Sequence, residues 1–213
     1  MEKSDIINLL IKKFGFKRYL EIGLDNPEHN FTKIKCETKH SVDPYFEDDH
    51  KSGFDIQTYE IANALKYLTY RMTSDEYFET HSDKYDIILV DGLHREFQAG
   101  KDIINGLKCL NKGGFIVVHD CLPMDEPSQI VPRIQPLWNG DVWKCIPMLN
   151  EQGIEYEVVD TDFGCGIIKY KENPEELHYM EKSPYRWRDF ATKRNELMHV
   201  ISVAEFVEKY LMD

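Results

Sequence analysis

The apolar positions of this chain fall into two kinds of pattern. Short unbroken runs, Ile87-Ile88-Leu89-Val90 and Phe115-Ile116-Val117-Val118, are too brief for helices and read as strands buried on both faces. Elsewhere apolar residues recur every three or four positions. Ile6, Ile7, Leu10, Ile11 and Phe14 mark one helix, with Ser4 as its N-cap and Gly15 as its stop. Phe97, Ile103, Ile104, Leu107 and Leu110 mark another, ended by Asn111-Lys112-Gly113-Gly114. Arg18 to Gly23 predicts a first strand, His40 to Pro44 a short second one, and Tyr67 to Met72 a third. Asn26-Pro27-Glu28 opens a short helix through Phe31 and Ile34, and Ile61, Leu65 and Leu68 suggest another after a polar, acidic loop over 45–58. Thr73-Ser74-Asp75-Glu76 has the form of a capping box launching a helix that carries Tyr77 and Phe78. Tyr156 to Asp160 and Gly166 to Tyr170, joined by a glycine-bearing turn, predict an antiparallel hairpin, and Ser202-x-x-Glu205 caps a last helix with Phe206, Val207, Tyr210 and Leu211 on its apolar face.

This alternation predicts an α/β fold: a doubly wound, mostly parallel sheet with helices on both faces and a C-terminal antiparallel hairpin. The expected organisation is one domain over 1–213, with its core at about 16–170, an N-terminal helix at 4–15 and a helical tail from about 183.

Polar chemistry collects where the strands end. The run at 87–90 leads into Asp91-Gly92-Leu93-His94, and the run at 115–118 into His119-Asp120. In open sheets of this kind ligands sit beyond the carboxyl ends of the strands. Gly23 ends the first strand, where a glycine lets backbone approach a ligand closely. Asp43 ends the second, where a carboxylate offers two acceptor oxygens to a ribose diol. Ser74 and Asp75 follow the third. The first turn reads Gly23-Leu24-Asp25-Asn26-Pro27, without the glycine spacing of a pyrophosphate loop, and Asp25 and Glu28 would repel phosphate. A nucleoside without phosphates suits it better than a dinucleotide.

Composition narrows the classes. With 26 basic and 38 acidic residues the formal net charge is −12, against the basic footprint that a nucleic-acid binder needs. Cys36, Cys109, Cys121, Cys145 and Cys165 are odd in number and scattered, so neither a disulfide framework nor a zinc ribbon is expected, and a reduced, cytoplasmic setting follows. No secretory leader is read at the N-terminus and no stretch approaches a bilayer span, so no membrane partner is expected. Between Leu122 and Trp143 the chain holds Pro123, Pro127, Pro132 and Pro136 with Trp138 and Trp143, which suggests an ordered wall or lid over the site.

The series Leu20-Glu21-Ile22-Gly23, Val42-Asp43-Pro44, Thr73 to Phe78, Tyr85 to His94 and Gly113 to Asp120 resembles the class I S-adenosylmethionine-dependent methyltransferases. It is most similar to the small bacterial group of sugar and glycan biosynthesis, including macrolide-sugar O-methyltransferases. The resemblance spans most of residues 16–170. It implies S-adenosylmethionine as cofactor, with Glu21 and Gly23 facing its methionine part, Asp43 holding the ribose, Ser74 and Asp75 near the adenine, and Asp91 also at the cofactor. The second glycine of Glu-x-Gly-x-x-x-Gly is missing, and Asn26 or Asn30 would compensate. Some of these enzymes use magnesium. Asp91 and Asp120 match their ligand positions and His119 stands where they carry an acid, so the implied metal set is Asp91, His119 and Asp120. One lost carboxylate weakens a magnesium site or favours a metal that accepts imidazole, and metal binding is left open.

Methyl transfer to a hydroxyl requires removal of a proton, which a histidine with an ordinary pKa can accept. His94, one turn past its strand, is the expected base, with Asp91 beside it as the second catalytic residue. The expected partner is a small-molecule or glycan acceptor, and assembly into a homo-oligomer is compatible with the sequence. Two other readings stand beside this one. Asp91, His94, His119 and Asp120 would also suit a metal-dependent hydrolase, and the fold alone would suit a non-catalytic nucleoside-binding module.

Overall fold

The computed structural model describes residues 1–44, 65–179 and 181–212. The described chain forms a seven-stranded sheet in the order β2-β1-β3-β4-β6-β5-β7. The strands are β1 (Arg18–Ile22), β2 (Thr38–Val42), β3 (Tyr85–Val90), β4 (Leu110–Val118), β5 (Tyr156–Val159), β6 (Cys165–Lys169) and β7 (Val200–Ile201). The first four are mutually parallel, whereas β6 runs antiparallel to both β4 and β5, as the hairpin pattern predicts. The short β7 adds parallel to β5.

Alternate residues of the central strands feed two separate apolar layers. Ile88, Val90, Ile116 and Val118 pack on one face with α3 (Glu96–Cys109), whose Ile103, Ile104 and Leu107 are fully buried, and with Trp143 and Leu149. Ile87, Leu89, Phe115 and Val117 pack on the other with Ile6, Ile7 and Leu10 of α1 (Lys3–Phe14) and Phe206 and Tyr210 of α5 (Val203–Leu211). Two further helices are α2 (Ser74–Thr80) and α4 (Trp187–Leu197). No described helix is long and apolar enough to cross a membrane.

Several expected boundaries move. The first helix starts at Lys3, not after Ser4, because Glu2 and Asp5 form the capping box and Ser4 turns inward, 3% exposed. Gly15 does end that helix in the left-handed conformation. The helix at 96 stops at Cys109 on an extended Leu110, so Gly113 makes its left-handed turn within the start of β4 and Leu110 is a strand residue. Phe97, expected on the apolar face, is 59% exposed. The turn after Asn26 tightens only into a single 3-10 turn, Phe31–Lys33.

The third strand expected at 67–72 shrinks to one bridge between Val42 and Tyr70. Side chains hold that segment instead of a ladder: Ser41 Oγ donates to the Tyr67 carbonyl and accepts from the Thr69 amide. The loop expected over 45–58 and Ile61 lie outside the described residues. The capping boxes at Thr73–Glu76 and Ser202–Glu205 both form.

Candidate active site

The chain leaves β1 on one side for β2 and returns on the other as β3, so a crevice opens between the carboxyl ends of β1 and β3. Backbone bonds continue past the strand ends there: Gly23 N–H donates to the Val42 carbonyl at 2.9 Å, Asp91 N–H to Ile22 at 2.9 Å, and His119 N–H to Val90 at 3.1 Å. These bonds fix the three chain exits side by side. A cavity of about 740 Å³ lies over them, lined by Glu21, Gly23, Asp43, Ser74, Asp75, Asp91, His94, His119 and Asp120, all expected site residues. Asn30 and Trp138, both named from the sequence, also line it, as do Lys3, Gln98, Asp102, Arg133 and Phe163, which carry no sequence motif.

At one end Glu21 is 2% exposed and accepts from the Tyr19 hydroxyl at 2.5 Å and the Asn30 side-chain amide at 2.7 Å. Burial pushes its carboxyl up to about 8, against those two bonds, which favour the ionised form. Asn30 Oδ1 is buried with no hydrogen-bond partner. In the ligand-free protein the folded state therefore keeps a proton that an unfolded Glu loses near 4.5, and stability falls as pH rises from there towards about 8. Glu21→Gln is expected to flatten that fall in denaturant titrations run across the same window. A variant losing stability as steeply as the parent would contradict the assignment.

The Asp43 carboxylate accepts the Leu24 amide at 2.9 Å, tying the turn after β1 to the end of β2. Beyond it, Gln98 Nε2 donates to Ser74 Oγ, Asp75 Oδ1 and Asp102 Oδ1 at 3.0 to 3.1 Å. Lys101 pairs with Asp75. Burial pushes Asp102 up to about 7, opposed by bonds from Ser74 and Gln98.

The other end holds a dense charged cluster. His94 Nε2 lies 3.3 Å from Asp120 Oδ2 and 3.8 Å from Asp91 Oδ1. Its ring stacks on Trp138 with centroids 5.2 Å apart, and its Nδ1 lies 3.3 Å from the Trp138 carbonyl. The segment expected as a wall thus sets the imidazole's direction. Its Asn139 also donates to Asp120 Oδ1 at 2.5 Å, while Gly140 packs directly on the His94 backbone. Asp120 sits at φ 61°, a left-handed conformation that Asp tolerates better than most residues and that often accompanies function. Burial opposes charge on His94, yet Asp91 and Asp120 raise its pKa above the ordinary histidine value. Burial likewise opposes charge on His119, and the same two carboxylates raise it well above that value. Asp91, against the desolvation it suffers, is held well below the usual carboxylate range by His119 and Lys3.

The metal set expected from the sequence is Asp91, His119 and Asp120; atoms of Asp91, His94 and Asp120 also converge within 4.8 Å of one another. His119 bridges the two acids, its Nδ1 3.2 Å from Asp91 Oδ1 and 3.2 Å from Asp120 Oδ2, with Nε2 3.6 Å from Asp162. Lys3 Nζ takes the other Asp91 oxygen at 2.7 Å. A magnesium ion asks for a near-octahedral shell of oxygens. Here it would meet an ammonium and two imidazoles around two acids, and the residues present do not fit it.

Residues 26–121 match the family model of a methyltransferase domain. Over that stretch the chain is similar to methyltransferase domains. No curated protein matches the sequence. The solved structures it resembles include the O-methyltransferase TomG of Streptomyces achromogenes, involved in tomaymycin synthesis and solved with SAM. That pair has a TM-score of 0.53 at 13% identity over 79% of each chain. An O-methyltransferase of Bacillus cereus in complex with SAH gives 0.52 at 15% identity, over 79% of this chain and 80% of that one. Cofactor-bound Rv0187 from MTB gives 0.54 at 13% identity, over 81% and 82%. At such identities the likeness is one of fold: a Rossmann-like sheet with its crevice at the β1/β3 switch point.

Proposed function

We propose that this protein is an S-adenosylmethionine-dependent O-methyltransferase acting on a hydroxyl of a sugar, glycan or other small molecule. One observation carries the reading: a single crevice joins a ribose-type acid and a glycine turn, Asp43 and Gly23, to a partly buried imidazole backed by two carboxylates, His94 with Asp91 and Asp120. In this reading Glu21 and Asn30 take the methionine part of the cofactor, Asp43 the ribose, Ser74, Asp75 and Asp102 the adenine side, and Asp91 borders the sulfonium. The whole chain works as one methyltransferase unit in the cytoplasm, with its five cysteines as free thiols. Its net charge of −12 goes with a small acceptor and not with nucleic acid.

In the transfer step the acceptor oxygen attacks the sulfonium methyl. An O–C bond forms, the C–S bond breaks with its electron pair going to sulfur, and S-adenosylhomocysteine leaves. The acceptor proton goes to His94 Nε2. With Nδ1–H donating to the Trp138 carbonyl, Nε2 is the free base, and the imidazolium that forms faces Asp120 and Asp91. Leu137, Trp138 and Phe163 line the acceptor end and offer a flat apolar wall to a ring.

Calorimetry with S-adenosylhomocysteine, followed by a panel of hydroxylated sugars and phenols with methyl-labelled cofactor, tests the reading. A folded protein that ignores S-adenosylhomocysteine would rule it out. Within that assay Asp43→Ala is expected to weaken binding by about 1–3 kcal/mol, as for loss of a charge-assisted hydrogen-bond acceptor. Unchanged affinity would remove Asp43 from the ribose.

A further inference from the structure

We propose that Lys3 is the resident cation of this site, its ammonium paired with Asp91 of the Asp91–His94–Asp120 cluster, so that the chain binds and positions its reactants without a metal. The inference rests on the methyltransferase reading for its role, but its geometry stands independently.

Lys3 opens the first helix, and its Nζ reaches Asp91 Oδ2 at 2.7 Å across 88 positions of sequence. Both side chains are 15% exposed, unlike the usual solvated surface pair. The backbone that carries it is anchored on several sides. Its own N–H donates to Asp162 Oδ2 at 2.7 Å, the Met1 carbonyl accepts from Thr161 Oγ1 at 2.5 Å, and the neighbouring Glu2 closes the capping box and pairs with Lys33. Lys3 is thereby fixed into the cavity over the strand ends.

The charges around it are matched by the chain itself. Asp91 lies between Lys3 and His119, and Asp120 between His119 and His94. An ammonium has three donors, and one is spent on Asp91. Lys3 thus acts through Asp91, holding one carboxylate oxygen so that the other faces the imidazoles, and places a fixed positive charge at the cluster that contains His94. It is a positioning residue that supplies electrostatically what a metal would, with no proton or electron changing hands at its nitrogen. A divalent ion entering the cluster would face this charge at a few ångströms.

The test uses the full-length protein, Mn²⁺ as paramagnetic probe, and S-adenosylhomocysteine calorimetry. The parent is expected to take up no stoichiometric Mn²⁺ and to bind S-adenosylhomocysteine equally well with and without chelator. Lys3→Met, which removes the charge at similar length, is expected to open the Asp91–His94–Asp120 set and bind Mn²⁺ at least about tenfold more tightly than the parent, given the repulsion it relieves. Lys3→Arg, which keeps the charge, should exclude Mn²⁺ as the parent does, and it tests the same point should the methionine variant fold poorly. Stoichiometric Mn²⁺ on the parent, tight Mn²⁺ binding by Lys3→Arg, or no gain in a folded Lys3→Met overturns the proposal. Failure of S-adenosylhomocysteine to bind sinks the methyltransferase reading and leaves the Mn²⁺ result standing.

Discussion

Replacing His94 by alanine is expected to lower turnover by about 100-fold or more while leaving S-adenosylhomocysteine affinity nearly intact, the usual consequence of losing a general base. The imidazole is held by a stack on Trp138 and faces Asp120 at 3.3 Å, so nothing else in the cluster is positioned to replace it without movement. His119 is nearest in kind, but its Nδ1 is engaged between the two acids. The pH profile follows from the shift. Only neutral imidazole accepts a proton, so turnover rises with pH as His94 loses its own. Because the carboxylates raise its pKa, against the effect of burial, that rise is displaced to higher pH than the ordinary value of 6.5. Asp120→Asn removes one of those charges and should move the rise back towards lower pH. Turnover measured from mildly acidic to mildly basic pH decides the matter. A flat profile, or a fully active His94→Ala protein, removes His94 as the base.

A second large effect is expected at Gly23, and it concerns architecture before chemistry. Gly23 has φ 89°, and a Cβ built there would lie 2.1 Å from the Asp91 carbonyl oxygen and 2.5 Å from Gly92 Cα. No rotamer relieves a clash with backbone. A left-handed alanine costs about 1–2 kcal/mol, and overpacking typically adds about 1–3 kcal/mol. Gly23→Ala should therefore lose several kcal/mol, a large part of a usual folding free energy of about 5–15 kcal/mol. At about 2–4 °C per kcal/mol for a chain of this size, the melting temperature should drop by roughly 10 °C. Gly15→Ala is the control. Gly15 has φ 68° but nothing within 4 Å of its would-be Cβ, so only the conformational cost applies. Thermal denaturation of both variants separates the contributions. Equal melting temperatures would mean that the ends of β1 and β3 do not approach as closely as described.

The central sheet was legible because its strands are buried on both faces and must be continuously apolar. Ile87 to Val90 and Phe115 to Val118 have no other stable environment. The third strand was overread for the complementary reason. Tyr67 to Met72 has strand-like residue types, yet its backbone groups near Ser41 and Thr69 are satisfied by side chains, which sequence periodicity does not register. The end of the helix at 96–109 was misplaced because Gly113 signals a left-handed turn without saying whether a helix or a strand contains it.

The sequence alone determined the parts governed by local pattern: the alternation of strands and helices, the capping boxes, the terminal hairpin, and the collection of Glu21, Gly23, Asp43, Asp91, His94, His119 and Asp120 at strand ends. Parallel strands all carry their carboxyl ends to one edge, so residues just after them share a crevice whatever the loops do. Tertiary structure alone decided which groups meet within that crevice. Lys3 opens a helix with ordinary amphipathic spacing, and nothing local marks it apart from the other lysines of that helix. It reaches Asp91 only because α1 packs beneath the sheet and Asp162, from the turn between β5 and β6, fixes its backbone. The same holds for Trp138 on His94, and for His119 bridging Asp91 and Asp120. Contacts between residues distant in sequence depend on the angles at which whole elements pack, and those angles leave no periodic trace in the chain.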